Sequence, residues 1–319
     1  MGASATPRRA EPAGPAGPDA LAVAASGGRD STALLHATCR AARAAGVTVH
    51  ALHVHHGLQT AADAWAAHVR GQCRRWGASF HLARLTGRPA GGESIEAWAR
   101  RERYAALGAM ARVAGCRHVL LAQHRRDQAE TVLLQLLRGA GARGLAAMPS
   151  KVVRDGIIWC RPWRDHPREA IESYLRQHRL TFVDDTSNAD PRFARNRIRL
   201  AVWPALAQAF PQAEPALATA ARRAADEAQA LRELAALDAA AVREGEALLK
   251  TAWLSLSPAR RVLQLREAIA GWTGQGAPET LVQRLAEELP RCPSGRWPAP
   301  GGQLLLRRGR LGFVRSATD

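Results

Sequence analysis

Between residues 21 and 138, short apolar runs of strand length alternate with stretches of helical period, and this rhythm admits few folds. Strand-like segments at 21–25, 47–54, 79–85 and 118–123 are separated by predicted helices at 30–45, 63–76 and 93–114, and a further helix runs from Asp127 to Arg138. Successive strands joined through helices lie parallel, because the crossover brings the chain back in the direction it came from. The expected class is α/β, a parallel sheet with helices on both faces. Ligands in such sheets bind beyond the carboxyl ends of the strands, so the loops after residues 25, 55 and 123 are expected around one crevice.

The first of these loops is the most informative. "LAVAASGGRDSTALLH" (21–36) breaks an apolar run into Ser26, Gly27 and Gly28, then places Asp30 and Ser31 at the mouth of a helix. Free amides of a turn and of a first helical turn point outward there, and the helix dipole adds positive potential, so a phosphate is the natural ligand. Neither the GxxxxGK[ST] loop nor the GxGxxG fingerprint is present. A plainer reading makes the glycines a tight turn and Asp30 a helix cap. Asp30 fits that reading poorly. A carboxylate beside phosphates repels them unless a divalent cation lies between, which implies ATP with Mg²⁺.

The remaining composition bounds the class. A formal charge of +17 favours a polyanionic partner, although Lys151 and Lys250 are the only lysines and the arginine excess partly resembles a compositional bias. Cys39, Cys73, Cys116, Cys160 and Cys292 form no CxxC pair, which is neither a disulfide framework nor a zinc pattern. No run of about 18 apolar residues occurs, and residues 1–18 lack the apolar stretch of a signal peptide, so no membrane contact and a cytoplasmic location are expected. His53, His55 and His56 invite a metal reading, but no acidic or cysteine partner lies near them in sequence.

"SGGRDS" (26–31) after a first strand resembles the SGGxDS signature of the ATP-pyrophosphatase (PP-loop) superfamily, whose members cleave ATP to AMP and pyrophosphate while adenylating a carbonyl oxygen. Within it the chain is similar to the bacterial tRNA(Ile)-lysidine synthetases from about Leu21 onward. The matching stretches are "HVHHGL" (53–58), "IEAWARRERYAAL" (95–107), "QHRRDQAETVLLQLLRGAGARGL" (123–145), "RPW" (161–163) and "DDTSNADPRFARNRIR" (184–199). The resemblance implies an adenine nucleotide alpha hydrolase-like sheet domain, ATP and Mg²⁺ as cofactors, and L-lysine and a tRNA(Ile) with a CAU anticodon as partners. The implied reaction replaces the C2 oxygen of the wobble cytidine by the ε-amine of lysine. A tRNA thiolase on the same fold is the rival, and it is disfavoured because no cysteine falls in a matched stretch.

The resemblance also distributes roles. Ser26, Gly27, Gly28, Arg29, Asp30 and Ser31 would hold ATP, with Asp30 on Mg²⁺, and His56 and Gly57 would border the nucleotide. Asp127 and Glu130, three apart at a helix start, would bind the lysine ammonium, one of them acting as base, with His124 beside them. Without the motif, the plainer reading of these acids is a solvated pair stabilising a helix N-terminus. Arg100 and Arg103 would clamp a phosphate or the lysine carboxylate, and Arg195, Asn196 and Arg199 would reach toward the nucleotide or the tRNA, with Asn188 shaping the loop before them. Either Arg100 or Arg103 could instead only cover surface.

One departure stands out. Many relatives carry two consecutive acids where this chain has Arg126 and Asp127, so Arg126→Asp is expected to leave activity within about tenfold while Asp127→Ala loses far more. The expected organisation is a disordered tail (1–18), the catalytic domain (19–212), a helical linker (213–250) and a small α+β accessory domain that grips tRNA (251–319), with a homodimer as a candidate assembly.

Overall fold

The computed structural model describes residues 20–55, 62–87, 91, 94–184, 190 and 192–316; His56, Gly57, Asn188 and the tail lie outside these. The chain divides into two compact units, Met1–Arg222 and Arg223–Asp319.

The first unit follows the alternating pattern closely. Strand β1 (Ala20–Ala24) leads into helix α1 (Arg29–Ala45), then β2 (Thr48–His55), α2 (Ala62–Trp76), β3 (Ser79–Arg84) and α3 (Ile95–Val113). Next come β4 (His118–Leu120), α4 (Arg125–Leu136), the short α5 (Ala142–Leu145), β5 (Lys151–Arg154), β6 (Ile157–Cys160) and α6 (Arg168–Gln177). The sheet runs β3-β2-β1-β4-β6-β5 and is parallel except at its last pair, where β5 lies antiparallel to β6. A tight turn at Asp155 and Gly156, both with positive φ, makes that antiparallel edge possible.

Alternate residues of each strand enter opposite faces. Ala22 and Leu52 join Leu107, Ala111 and Val119 on one side, while Val23 and Ala51 join Leu34, Leu35 and Val69 on the other. Both faces are thus covered by helices, which is why consecutive strand residues such as Ala22 and Val23, or Ala51 and Leu52, are all buried.

Strand order places the site. The chain steps from β1 outward to β2 and β3, then returns to add β4 on the other side of β1. The loops after β1 and β4 therefore leave the sheet in diverging directions and open a crevice between them.

Beyond the sheet, α7 (Ala194–Arg197) passes directly into a π-helical turn at Ile198–Val202 and then α8 (Trp203–Ala209). Helix α9 spans Ala213–Val242 and contains the division between the units. It ends earlier than the helical pattern suggests, because Gly245 (φ 60°) turns the chain into a small hairpin, β7 (Arg243–Glu244) with β8 (Ala247–Leu249). The second unit continues with α10 (Lys250–Leu254), α11 (Pro258–Thr273), α12 (Glu279–Glu288) and β9 (Gly295–Ala299), β10 (Gly302–Arg307) and β11 (Arg310–Arg315). Its antiparallel sheet, ordered β7-β8-β11-β10-β9, packs Trp297, Leu304, Leu306 and Leu311 against Leu265, Ile269 and Leu285. No helix among the described residues is long and apolar enough to cross a membrane.

Candidate active site

The turn after β1 is shaped by Gly27. Its φ of 90° is open only to glycine at low cost, and a Cβ there would stand 3.1 Å from Val69 Cγ2. The carbonyl of Gly27 faces away from the crevice, accepting from the Val183 amide at 2.9 Å and the Thr32 hydroxyl at 3.1 Å. With those carbonyls turned back, the amides are left outward. The first helical bond of α1 is Thr32 N–H to Gly28 O at 2.9 Å, and among the described residues no backbone carbonyl accepts from the amides of Gly27, Arg29, Asp30 or Ser31. Ser26 Oγ and Ser31 Oγ lie 2.9 Å apart across the turn. Ser31 Oγ also donates to Gly28 O at 3.0 Å, so the free amides supply the donors here, as in an anion cradle.

Across the crevice stands the start of α4. His124 precedes the helix, and its amide donates to Asp127 Oδ2 at 3.0 Å. The His124 ring sits between two acids, Nε2 being 3.4 Å from Asp127 Oδ2 and 3.7 Å from Asp30 Oδ2. The termini of α1 and α4 are thus joined through one imidazole. Burial works against a charged His124 ring, but the carboxylates of Asp30, Asp127 and Glu130 outweigh it and hold its pKa above the ordinary histidine value. Burial likewise opposes ionisation of Asp30, yet His124, Arg29 and Arg168 bring its carboxyl below the ordinary range. Asp30 therefore stays a carboxylate. Its Oδ1 is buried and has no hydrogen-bond partner among the described residues.

The π turn delivers the remaining charge. Arg199 donates through Nη2 to Asp127 Oδ1 at 2.6 Å and through Nε to both Glu130 oxygens at 2.8 and 2.9 Å. The extra residue of a π turn rotates the following side chain relative to an α-helix, and here it aims Arg199 across to α4. Arg195 approaches Glu130 Oε2 at 3.8 Å and donates to Thr131 Oγ1 at 2.8 Å. Burial pushes the Glu130 carboxyl up, and the Arg199 guanidinium pulls against it. Asn196 has a different role from its neighbours: it is buried and donates to Asp190 O at 2.9 Å, so it secures the loop ahead of α7.

Ser26, Asp30, Ser31, His124, Asp127, Glu130 and Arg199 line one cavity of 810 Å³, a volume suited to a nucleotide with a second small ligand, and the described lining does not include Arg195 or Asn196. Its polar end carries Ser26, Asp30, Ser31, His124, Asp127 and Glu130, and an apolar wall is formed by Leu52, Val54, Leu107 and Leu121. Of the two arginines expected from α3, Arg103 lines the cavity. Arg100 is exposed, with its guanidinium over the Tyr104 ring at 5.0 Å, and the described lining does not include it. Arg29 also lines the cavity while donating to Glu172 at 2.6 Å. His53 and His55 are structural in their contacts, His53 Nδ1 meeting Ala25 O at 2.7 Å and His55 Nε2 meeting Arg84 at 3.2 Å.

The profile of the PP-loop domain family matches residues 4–206. The chain is 44% identical over 277 residues to the tRNA(Ile)-lysidine synthase of Bordetella pertussis, covering 85% of each chain. It is 46% identical over 246 residues to that of Polaromonas naphthalenivorans, covering 77% of this chain and 74% of the relative. This chain belongs to the tRNA(Ile)-lysidine synthase family. Among solved structures it is similar to the U34-tRNA thiolase NcsA from Methanococcus maripaludis, with a TM-score of 0.55 at 13% identity over 65% of this chain and 73% of that one. That likeness speaks to the shared fold alone, and no cysteine stands among the described residues lining the cavity of this lysidine synthase family member.

Sequence reasoning missed three contributors. Arg168 and Asp184 line the cavity, and Glu214, at the start of α9, accepts from Arg125 and Arg126 at 2.9 and 2.7 Å. An acid in the first turn of an alanine-rich helix reads as an ordinary dipole partner, and nothing in the sequence connects it to residues 88 and 89 positions earlier. Glu214 also revises the expectation for Arg126→Asp. That substitution would set a second carboxylate against a buried one and leave Glu214 with a single cation, so a loss larger than the roughly tenfold limit read from sequence is expected.

Proposed function

We propose that the cavity ligates L-lysine to C2 of the wobble cytidine of a tRNA(Ile) with a CAU anticodon, at the expense of ATP cleaved to AMP and pyrophosphate. The observation that carries this reading is the convergence of the donor row after β1 with the paired acids of α4, joined through His124. Phosphate chemistry and amine chemistry are thereby held within one enclosure.

The β- and γ-phosphates are assigned to the free amides of the turn and to Ser26 and Ser31, with Arg103 and Arg168 supplying further positive charge. Asp30 fits a Mg²⁺ ligand, since it is an ionised carboxylate lining the cavity whose Oδ1 has no hydrogen-bond partner among the described residues. When bound, Mg²⁺ would neutralise the charge that builds on the departing pyrophosphate. The apolar wall of Leu52, Val54, Leu107 and Leu121 suits the adenine ring. Tyr104 and Gln123 line the cavity, and Tyr104 Oη and Gln123 Oε1 are buried without partners among the described residues, so they are assigned to ligand hydrogen bonds.

The chemistry proceeds in two displacements. The cytidine C2 oxygen attacks the α-phosphorus and pyrophosphate leaves; the neutral ε-amine then attacks C2 and AMP departs as the leaving group. Asp127 and Glu130 hold the amine and take its proton, and the raised proton affinity of buried Glu130 suits it to the second task. Arg199 bridges both acids before lysine arrives and would share them with its ammonium afterwards. Desolvation around Glu130 also favours the neutral amine, the reactive form.

Incubation of the protein with ATP, radiolabelled lysine and a tRNA(Ile) transcript bearing CAU tests the proposal. Label entering that RNA alone is expected. Sulfur incorporation instead, or label in a transcript lacking the wobble cytidine, refutes it.

A further inference from the structure

Arg126 is a charged cavity residue to which the reaction above assigns no work. Its side chain is 19% exposed and lines the cavity next to Asp127. Two contacts hold it. Nε donates to Glu214 Oε2 at 2.7 Å, and the guanidinium lies over the Trp203 ring at 4.1 Å. Glu214 is buried and takes Arg125 Nε on its other oxygen at 2.9 Å, so two arginines share one buried carboxylate. Among the described residues no acceptor lies within hydrogen-bonding distance of the Nη atoms of Arg126; the carboxylate of Glu169, 69% exposed, stands 3.9 Å away.

We infer that Arg126 binds the α-carboxylate of the amino-acid substrate, with Glu214 as its positioning residue; the inference rests on the reading of Asp127 and Glu130 as the amine site. A guanidinium presents a planar pair of donors that matches a carboxylate in two parallel hydrogen bonds. Here the Nε edge and one face are already engaged, so the remaining edge is pre-oriented and little side-chain entropy is lost when an oxyanion docks. A phosphate brought to the same place would meet the two acids of α4 at close range. A zwitterionic amino acid meets both signs favourably, its amine on Asp127 and Glu130 and its carboxylate on Arg126. Arg126 and Asp127 both line the cavity, and as neighbours in α4 their side chains diverge by about 100°, so they present opposite charges at separate points for the two ends of one ligand.

The test measures lysine and its decarboxylated analogue cadaverine as co-substrates with ATP and the CAU transcript, in the wild type and in Arg126→Met, Arg126→Lys and Glu214→Gln. Arg126→Met is expected to raise the KM for lysine by about tenfold to a hundredfold, the loss of a charge-assisted pair, while kcat and the KM for ATP stay within about threefold. Cadaverine kinetics should change by less than about threefold, so selectivity between the two amines falls by nearly the whole lysine effect. Arg126→Lys should recover part of that selectivity, and Glu214→Gln, which keeps Arg126 but loosens its anchor, should lose an intermediate amount. Equal effects on lysine and cadaverine overturn the inference in favour of a structural role. A rise in the KM for ATP or tRNA with lysine unaffected overturns it in favour of a phosphate contact. Incorporation of neither amine by the wild type rejects the reading of the whole site, and this inference with it.

Discussion

Gly27, Asp127 and the buried cysteines carry separable consequences. Gly27→Ala places a methyl 3.1 Å from Val69 at a φ of 90°, so it should cost about 1–3 kcal/mol of stability and raise the KM for ATP more than that for lysine. Urea denaturation and steady-state kinetics check both; an unchanged ATP KM would mean the turn does not hold phosphate. Asp127→Ala removes a partner of Arg199, of the His124 amide and of its ring together, and lysidine formation should fall by at least about a thousandfold with ATP binding retained. Retained activity would remove Asp127 from the amine site. Burial pushes the thiols of Cys39 and Cys73 up to about 11 and about 12 from 9.0. The folded protein should therefore resist thiol reagents at pH 8 at these two positions, and labelling followed by peptide mapping reads it directly. The sign for stability follows. From pH 9.0 to about 11–12 the unfolded chain has released protons that the folded chain retains, so stability falls as pH rises through that window.

At the scale of elements, α4 and the π turn show how secondary structure sets charge geometry. The acids on α4 are one turn apart and face the crevice because the helix begins at Arg125, with Asp127 tied to the His124 amide. A periodic pattern predicts such a helix, but a π turn leaves no periodic trace, since its single extra residue is indistinguishable in sequence from ordinary helix. Hence Arg199 could be named from the chain while its bridge between Asp127 and Glu130 could not. In the second unit α11 supplies the core. Leu265 is fully buried among Ile269, Leu285 and Leu306, and neighbouring Gln264 donates to Ala235 O at 2.7 Å. Leu265→Ala is expected to cost about 2–5 kcal/mol in a denaturant titration of the intact protein. A loss below about 1 kcal/mol would contradict the packing described for α11.

For the whole molecule, the charge of +17 bears on RNA affinity and leaves the small substrates largely untouched. If six to ten phosphates are contacted, raising salt from 50 to 200 mM should weaken tRNA binding by about 10³–10⁵. The KM values for ATP and lysine should move far less, and filter binding beside steady-state kinetics separates the two. A flat salt response would deny the surface arginines their RNA role.

The order and type of the elements from β1 to α4 were legible because apolar period is a local property: each strand and helix advertises its own buried side, and the glycine turn its own strained backbone. The anion cradle could be read for the same reason, since Ser26 to Ser31 are contiguous. Meetings between distant residues were not legible. Arg199 on its acids, Glu214 under Arg125 and Arg126, and the exposure of Arg100 despite its motif each depend on how separate elements are oriented after packing. A side chain's partner 69 or 88 positions away is selected by the summed geometry of the core, which no single stretch of chain encodes.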